Sequence, residues 1–433
     1  MQTSRASLKW RFPWRPRACA SVRIALLLAM AANLAVSVAS AGPPRPRRFI
    51  YNSDGGNIFI DKAPPMSPED VYAYVDEAAD SQVTTYFICP NFGMPLMYPS
   101  RVTDMLGASL TDEQWASMKK QGEQPEHAGT TERGIVNLRA LTAAGHDPIG
   151  LVINRARAKQ LEAFITFRLN EVHDVENPAS LMVSRFWRDH PEWRVGKPTD
   201  KLEKAFEDII GGTPENPVSP VVASWFTAAL DFSVPEVRAF RLAELRECCE
   251  RYDLDGLDLD FQRFPIYFRQ TEGPQHVDTM TAWVREVRQM TEEVGRQRGR
   301  PILLSARILG RPEQNLAIGL DPFAWARESL VDFIVVSHYL RNDFPLPIQE
   351  FRRRVPESMP IYASIEVEAE RDAYRRIASR LWADGADGLL LFNFFTGRQE
   401  SKEPPFDLLK ELGNPQTIPA VAVSAAKPVT GDP

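Results

Sequence analysis

The stretch DGLDLDFQRFP, residues 255–265, decides how this chain is read. Asp255, Asp258 and Asp260 stand two or three residues apart, and Gln262, Arg263 and Pro265 follow. Strand side chains alternate between faces, so Asp258, Asp260 and Gln262 share one face while Leu257, Leu259 and Phe261 share the other. In a closed barrel, one face looks into the lumen and the other packs under helices. The acidic face then belongs to the lumen. The last positions before Pro265 fall near the C-terminal mouth, where barrel enzymes hold their active sites.

The rest of the chain supplies the other staves. Short apolar runs recur at RRFIYNSDG (47–55), TTYFICPN (84–91), LEAFITFRLN (161–170), PILLSARIL (301–309), DFIVVSHYL (332–340), PIYASIEVE (360–368) and GLLLFNFF (388–395). Helical spacing appears between them at 67–80, near 147–160, at 234–252, near 278–298 and at 371–385. Eight β-rich runs, most joined by helices, predict an α/β fold, a (β/α)8 TIM barrel with enlarged loops. Two long aperiodic excursions, to about residue 133 after the second run and over 171–228 after the third, read as those loops. An open doubly wound sheet is the alternative, but no Gly-rich phosphate loop follows the first strand.

The ends differ from the body. Residues 1–41 carry six Lys and Arg with no acid, then IALLLAMAANLAVSVASA, closing on Ala39-Ser40-Ala41. This is the three-part pattern of a secretory signal peptide, which predicts a secreted or periplasmic protein with no membrane contact after cleavage. An uncleaved anchor is the alternative for the same run. The barrel is expected over 42–412, and the Pro-, Ala- and Val-rich tail over 413–433 reads as disordered. Past the leader, three cysteines remain, Cys89, Cys248 and Cys249, too few and too ill-spaced for a disulfide framework or a zinc site. A net charge of −6 without a basic stripe excludes a dedicated nucleic-acid binder. Oligomeric state is not legible.

Two carboxylates on one lumen face repel each other and resist desolvation, which predicts a raised pKa for one of them. Such a group can serve as a general acid near neutral pH. Asp258 and Asp260 could also be oxygen ligands, but no partner set for a metal is visible. On the third run, Thr166, Arg168 and Asn170 share a face, and Arg and Asn can hold a hydroxyl or carboxylate. His173 and Asp174 follow in the loop. Arg307, and His338 or Tyr339, end later strands. Trp187 and Trp193 offer indole faces for a ligand, or packing for a long loop.

DGLDLDFQRFP resembles the fourth-strand motif of exported bacterial barrels called family-10-like glycosyl hydrolases. FITFRLNEVHD (164–174), SRFWRDHPEW (184–193), ALDFSVPEVRAF (229–240) and LSARILGR (304–311) resemble further blocks of a planctomycete-type branch of that group. The resemblance implies a TIM barrel acting on a polysaccharide or oligosaccharide without an organic cofactor. More distantly, the stretch is similar to the DGxDxDxE motif of family 18 chitinases, whose last Glu protonates the glycosidic oxygen. Here Asp255, Asp258 and Asp260 match, and Gln262 stands at the acid position with no proton to give. Glycoside hydrolysis needs two flanking carboxyl groups. By likeness to barrel glycosidases that pair strands four and seven, Asp260 is the expected acid/base and Glu366 its partner. Asp258 is the tuning group, and Glu368 and Asp54 are further carboxylates near the mouth. The subsite candidates are Arg168, Asn170, His173, Trp187, Arg307 and Tyr339. A non-catalytic carbohydrate-binding barrel, favoured by Gln262, and a lyase or deacetylase are the alternatives.

Overall fold

The structure is a computed structural model that describes residues 45–122, 129–213, 216–366, 368, 370–395 and 403–420. The expected signal peptide lies outside the described residues, as do residues 421–433 of the expected tail.

Eight strands, β1 (Phe49–Ser53), β2 (Thr85–Ile88), β3 (Glu162–Arg168), β4 (Gly256–Asp260), β5 (Leu303–Leu309), β6 (Phe333–Ser337), β7 (Ile361–Ile365) and β8 (Gly388–Phe392), pair in sequence order. Every pairing is parallel, and β8 returns to β1, so the sheet closes into a barrel without edges. The crossover helices are α1 (Pro68–Ala79), α2 (Pro148–Ala158), α3 (Pro235–Arg251), α4 (Val277–Arg298), α5 (Pro322–Arg327), α6 (Ile348–Arg354) and α7 (Arg371–Ala383). This is the (β/α)8 barrel that the spacing predicts. Local chemistry sets the helix starts. Ser67 caps α1 and exchanges hydrogen bonds with Asp70 in a capping box, with Pro68 at the first helical position. Asp147 caps α2 through the Gly150 amide.

The lumen is a packed core, not a pore. Ile50, Phe87, Phe164, Phe333, Val335, Tyr362, Leu390 and Phe392 fill it. Gly256 starts β4 because its neighbour needs the space: a Cβ there would lie 2.0 Å from the Phe164 ring. The alternation read from residues 257–261 holds, with the leucines turned outward into the helix layer and the aspartates inward. At the floor, Arg48 donates to both oxygens of Glu162 and to the Tyr362 hydroxyl.

The first excursion departs from the expectation of a surface insertion. Met94, Leu96, Met97, Tyr98 and Leu106 are buried in the main core, because MPLMY is an apolar run without a repeating period, and the Tyr98 hydroxyl reaches Glu247 on α3. Helices at Asp112–Gly122 and Thr130–Ala143 complete it. At the chain's end, residues 413–420 run as turns and extended backbone, and Thr417 accepts from Gln82 Nε2 at 3.0 Å. No helix of the described residues is long and apolar enough to cross a membrane.

Candidate active site at the barrel mouth

Strand register assembles the centre. Asp260 of β4 is paired with Arg307 of β5, so the two side chains enter the lumen at one level. Arg307 Nη1 lies 3.3 and 3.2 Å from the two Asp260 oxygens. Its Nη2 lies 2.8 and 2.9 Å from the two oxygens of Glu366, just past β7. One guanidinium therefore joins the carboxylates of strands four and seven, and the three side chains are 2% exposed or less. The Phe392 ring sits 4.1 Å from the same guanidinium carbon. Burial pushes the Arg307 pKa down, and Glu366 and Asp260 more than offset it, so the group is held above its ordinary value.

The remaining oxygens are also engaged. Asp260 Oδ1 accepts from the backbone amides of Gln262 and Arg263, each at 3.0 Å. Glu366 accepts from Ser364 Oγ at 2.7 Å, and its amide donates to Asn342 Oδ1 at 2.8 Å. Asp260 is thus an acceptor on every side. The expected acid/base is held by one guanidinium and two backbone amides.

The raised carboxyl is Asp258, one level deeper. It accepts from Thr166 Oγ1 at 2.8 Å and from Ser305 Oγ at 2.6 Å. Burial first, and the charge of Asp260 second, push it up to about 7 against the pull of those hydroxyls and Arg307. The sequence predicts one shifted carboxyl on this face, and geometry assigns the shift to the residue farther from solvent. Gln262 is no vacant acid. Its Nε2 donates to the His338 carbonyl at 2.7 Å and its Oε1 accepts from Ser337 Oγ, so the amide ties the end of β4 to the end of β6.

Beside this centre runs a polar ring, entered by Arg168 at the register of Asp260. Arg168 pairs with Asp54 and, at 3.3 Å, with Glu171. Glu171 Oε1 also accepts from the His173 ring at Nδ1. His173 Nε2 lies 3.1 Å from Arg263 Nη2, and Arg263 Nη1 donates to the Tyr339 hydroxyl at 3.3 Å. Burial alone would raise the Glu171 pKa, but His173, Arg168 and Arg263 hold it well below the usual carboxylate range. Burial raises the Tyr339 phenol. Trp225 meets His173 edge to face at 5.2 Å and donates to Glu176. Non-glycine residues in the left-handed region follow four strands here: Asp174, Phe264, Leu340 and Asn393. Backbone strain of that kind gathers at working sites.

The structure brings together Asp258, Asp260, Arg307 and Glu366 at the centre, and Arg168, His173 and Tyr339 in the ring. It does not bring Asn170 or Trp187 to a substrate surface. Asn170 is fully buried and spends its amide on the backbone, donating to Leu230 O at 2.9 Å and Ile266 O at 2.5 Å and accepting from Leu230 N at 3.0 Å. Trp187 is 1% exposed, its Nε1 donates to Ala228 O, and Arg194 covers its ring at 3.3 Å. Its place is the bland one, packing of the excursion onto the barrel. Trp193 stacks on His190 outside the ring. Sequence reasoning missed Glu171, Arg263 and Trp225. Glu171 and Arg263 directly continue strands three and four, which was their signal; Trp225 had none. Among the described residues, no group of three or more His, Cys, Asp or Glu is arranged to hold a metal ion.

No family model matches the chain, and a sequence search of curated proteins finds no match. Among solved structures, it is similar to the glycoside hydrolase domain of PgaB (BpsB) from Bordetella bronchiseptica, at 11% identity and a TM-score of 0.46, over 85% of this chain and 99% of that one. A family 18 N-acetylglucosaminidase from Paenibacillus barengoltzii gives 11% identity and a TM-score of 0.41, over 84% and 99% of the chains. The endo-beta-1,4-mannanase from Thermotoga petrophila gives 11% and 0.43, over 81% and 68%. The fold rests on the strand pairing described above, and the site on its own geometry.

Proposed function

We propose that this protein is an exported glycoside hydrolase-type barrel that cleaves glycosidic bonds of a polysaccharide or oligosaccharide at the C-terminal mouth. One observation carries the reading: carboxylates from strands four and seven, Asp260 and Glu366, converge on Arg307. Two carboxylates and one guanidinium leave one net negative charge beside the reacting sugar. That charge suits an oxocarbenium-like transition state. Asp260 and Glu366 serve as the anionic pair, for nucleophilic attack or charge stabilisation. Asp258, hydrogen-bonded below them, tunes their field.

The test is reducing-end release from a broad glycan panel by the mature protein, by Asp260→Asn and by Glu366→Gln. Hydrolysis predicts release by the parent protein and a loss of about a thousandfold in each variant. A second reading, a barrel that binds glycan without cutting it, is favoured by the sealing of both carboxylates on Arg307 and by the amide at Gln262. Measurable glycan retention with no release from any substrate selects it.

A further inference from the structure

Three of the arginines at the mouth, Arg307, Arg168 and Arg263, have partners that differ in kind. Arg307 lies between Asp260 and Glu366, and Arg168 lies between Asp54 and Glu171. Arg263 has no carboxylate within ion-pair distance among the described residues. Its Nη1 donates to a phenol, Tyr339, and its Nη2 to an imidazole, His173. Its Nε is buried with no hydrogen-bond partner. The guanidinium lies 4.6 Å from the Phe264 ring, and Phe264 holds a φ of 57°.

A guanidinium only donates, so His173 Nε2 is the acceptor in that contact. The imidazole proton then sits on Nδ1, facing the Glu171 carboxylate. Both hydrogen-bond neighbours of Arg263 are therefore neutral acceptors that orient its fork, and the nearest carboxylate charge, Glu171, stands on the other side of His173. Arg263 is only half-buried, and Trp225, also half-buried, packs edge-on against His173. The mouth thus presents an oriented cation that no carboxylate hydrogen-bonds, beside an indole. A hydroxyl would leave most of that charge unused. A planar carboxylate or a sulfate takes two parallel N–H bonds from such a fork.

We infer that Arg263 recognises an anionic group on the glycan, a uronate carboxylate or a sulfate ester, with Tyr339 and His173 fixing the angle of its guanidinium. This rests on the carbohydrate reading of the mouth and goes past it to the substrate class. The test is titration calorimetry with hexasaccharides of galacturonate, mannuronate and sulfated chondroitin, each beside its carboxyl-reduced or desulfated counterpart. The parent protein is expected to bind at least one acidic hexasaccharide tenfold or more tightly than its counterpart. That preference should shrink as salt rises and vanish in Arg263→Gln. Arg263→Lys, which keeps the charge and loses the fork, should retain part of it and guards against a folding defect in the first variant. The counterpart that loses the advantage tells carboxylate from sulfate. Equal binding of acidic and neutral forms, or a preference that survives Arg263→Gln, overturns the inference and leaves the glycan reading standing. Failure of every glycan, acidic and neutral alike, removes both.

Discussion

The two ends of β4 set the same chemistry in opposite surroundings. At the floor, Asp255 meets Arg157 at 3.0 Å and also Arg300, and accepts the Ala163 amide at 2.8 Å. Asp253 joins Arg157, Arg298 and Arg300 there, so three arginines serve two aspartates, and the Asp255 side chain is 22% exposed. At the mouth, one arginine serves two carboxylates, and all three side chains are 2% exposed or less. The floor is a clamp with cations to spare. The centre is short of positive charge and sealed. An ion pair in water is worth little, whereas a buried one is costly to leave half-made. Motif residues of one type thus divide by depth into a fastening and a reactive centre.

The sharpest way to break this comparison is Arg307→Met. It leaves Asp260 and Glu366 buried without a counter-charge and should cost about 3–5 kcal/mol in urea unfolding. Adding Asp260→Asn and Glu366→Gln to that variant should restore much of the loss, since the uncompensated charges go too. Full stability in Arg307→Met would mean that the centre is wetter than its burial implies.

The next effect depends on pH. Asp258, pushed up to about 7 in the fold, keeps a proton that the unfolded chain gives up near the ordinary aspartate value of about 4. The folded state binds more protons between those values, so this group's contribution is fully present below about pH 4 and is lost as pH rises through about 7. The span is on the order of 4 kcal/mol. Asp258→Asn should flatten that slope, matching the parent near pH 4 and exceeding it at pH 8 in denaturant titrations. A slope that survives the substitution belongs to another group.

The smallest effect is at the floor. Asp255→Asn should cost about 1 kcal/mol, fall further in high salt and leave catalysis untouched. A loss as large as that of Arg307→Met would erase the distinction between the two ends.

The fold was legible because strand period and helix period are local. Residues 257–261 announced their two faces, and eight such runs with helical spacers leave few topologies. Asp260, Arg307 and Glu366 were each nameable for the same reason: they sit on inward positions at strand ends. Their bridging was not, because contact across β4, β5 and the end of β7 depends on register, which no single strand carries. The excursions were the least legible. Trp187 and Trp225 lie in one aperiodic segment, and nothing in its spacing tells the indole that packs inward from the one beside His173. Asn170 shows the complementary limit: parity put it on the face of Arg168, and its short amide turned to backbone partners instead.

That amide also gives the second excursion an architecture of its own. Asn170 and Leu230 lie 60 residues apart and share two hydrogen bonds, so both ends of the intervening chain are buttoned at one side chain. The segment behaves as a cassette seated in a fixed socket. Its closure entropy grows only with the logarithm of its length. Changes of length within the segment need not pull on β3 or β4, provided the button and the buried anchors Val175, Val183, Trp187 and Phe226 are kept. A lineage, or an engineer, could change what overhangs the mouth while leaving the carboxylates beneath it in register.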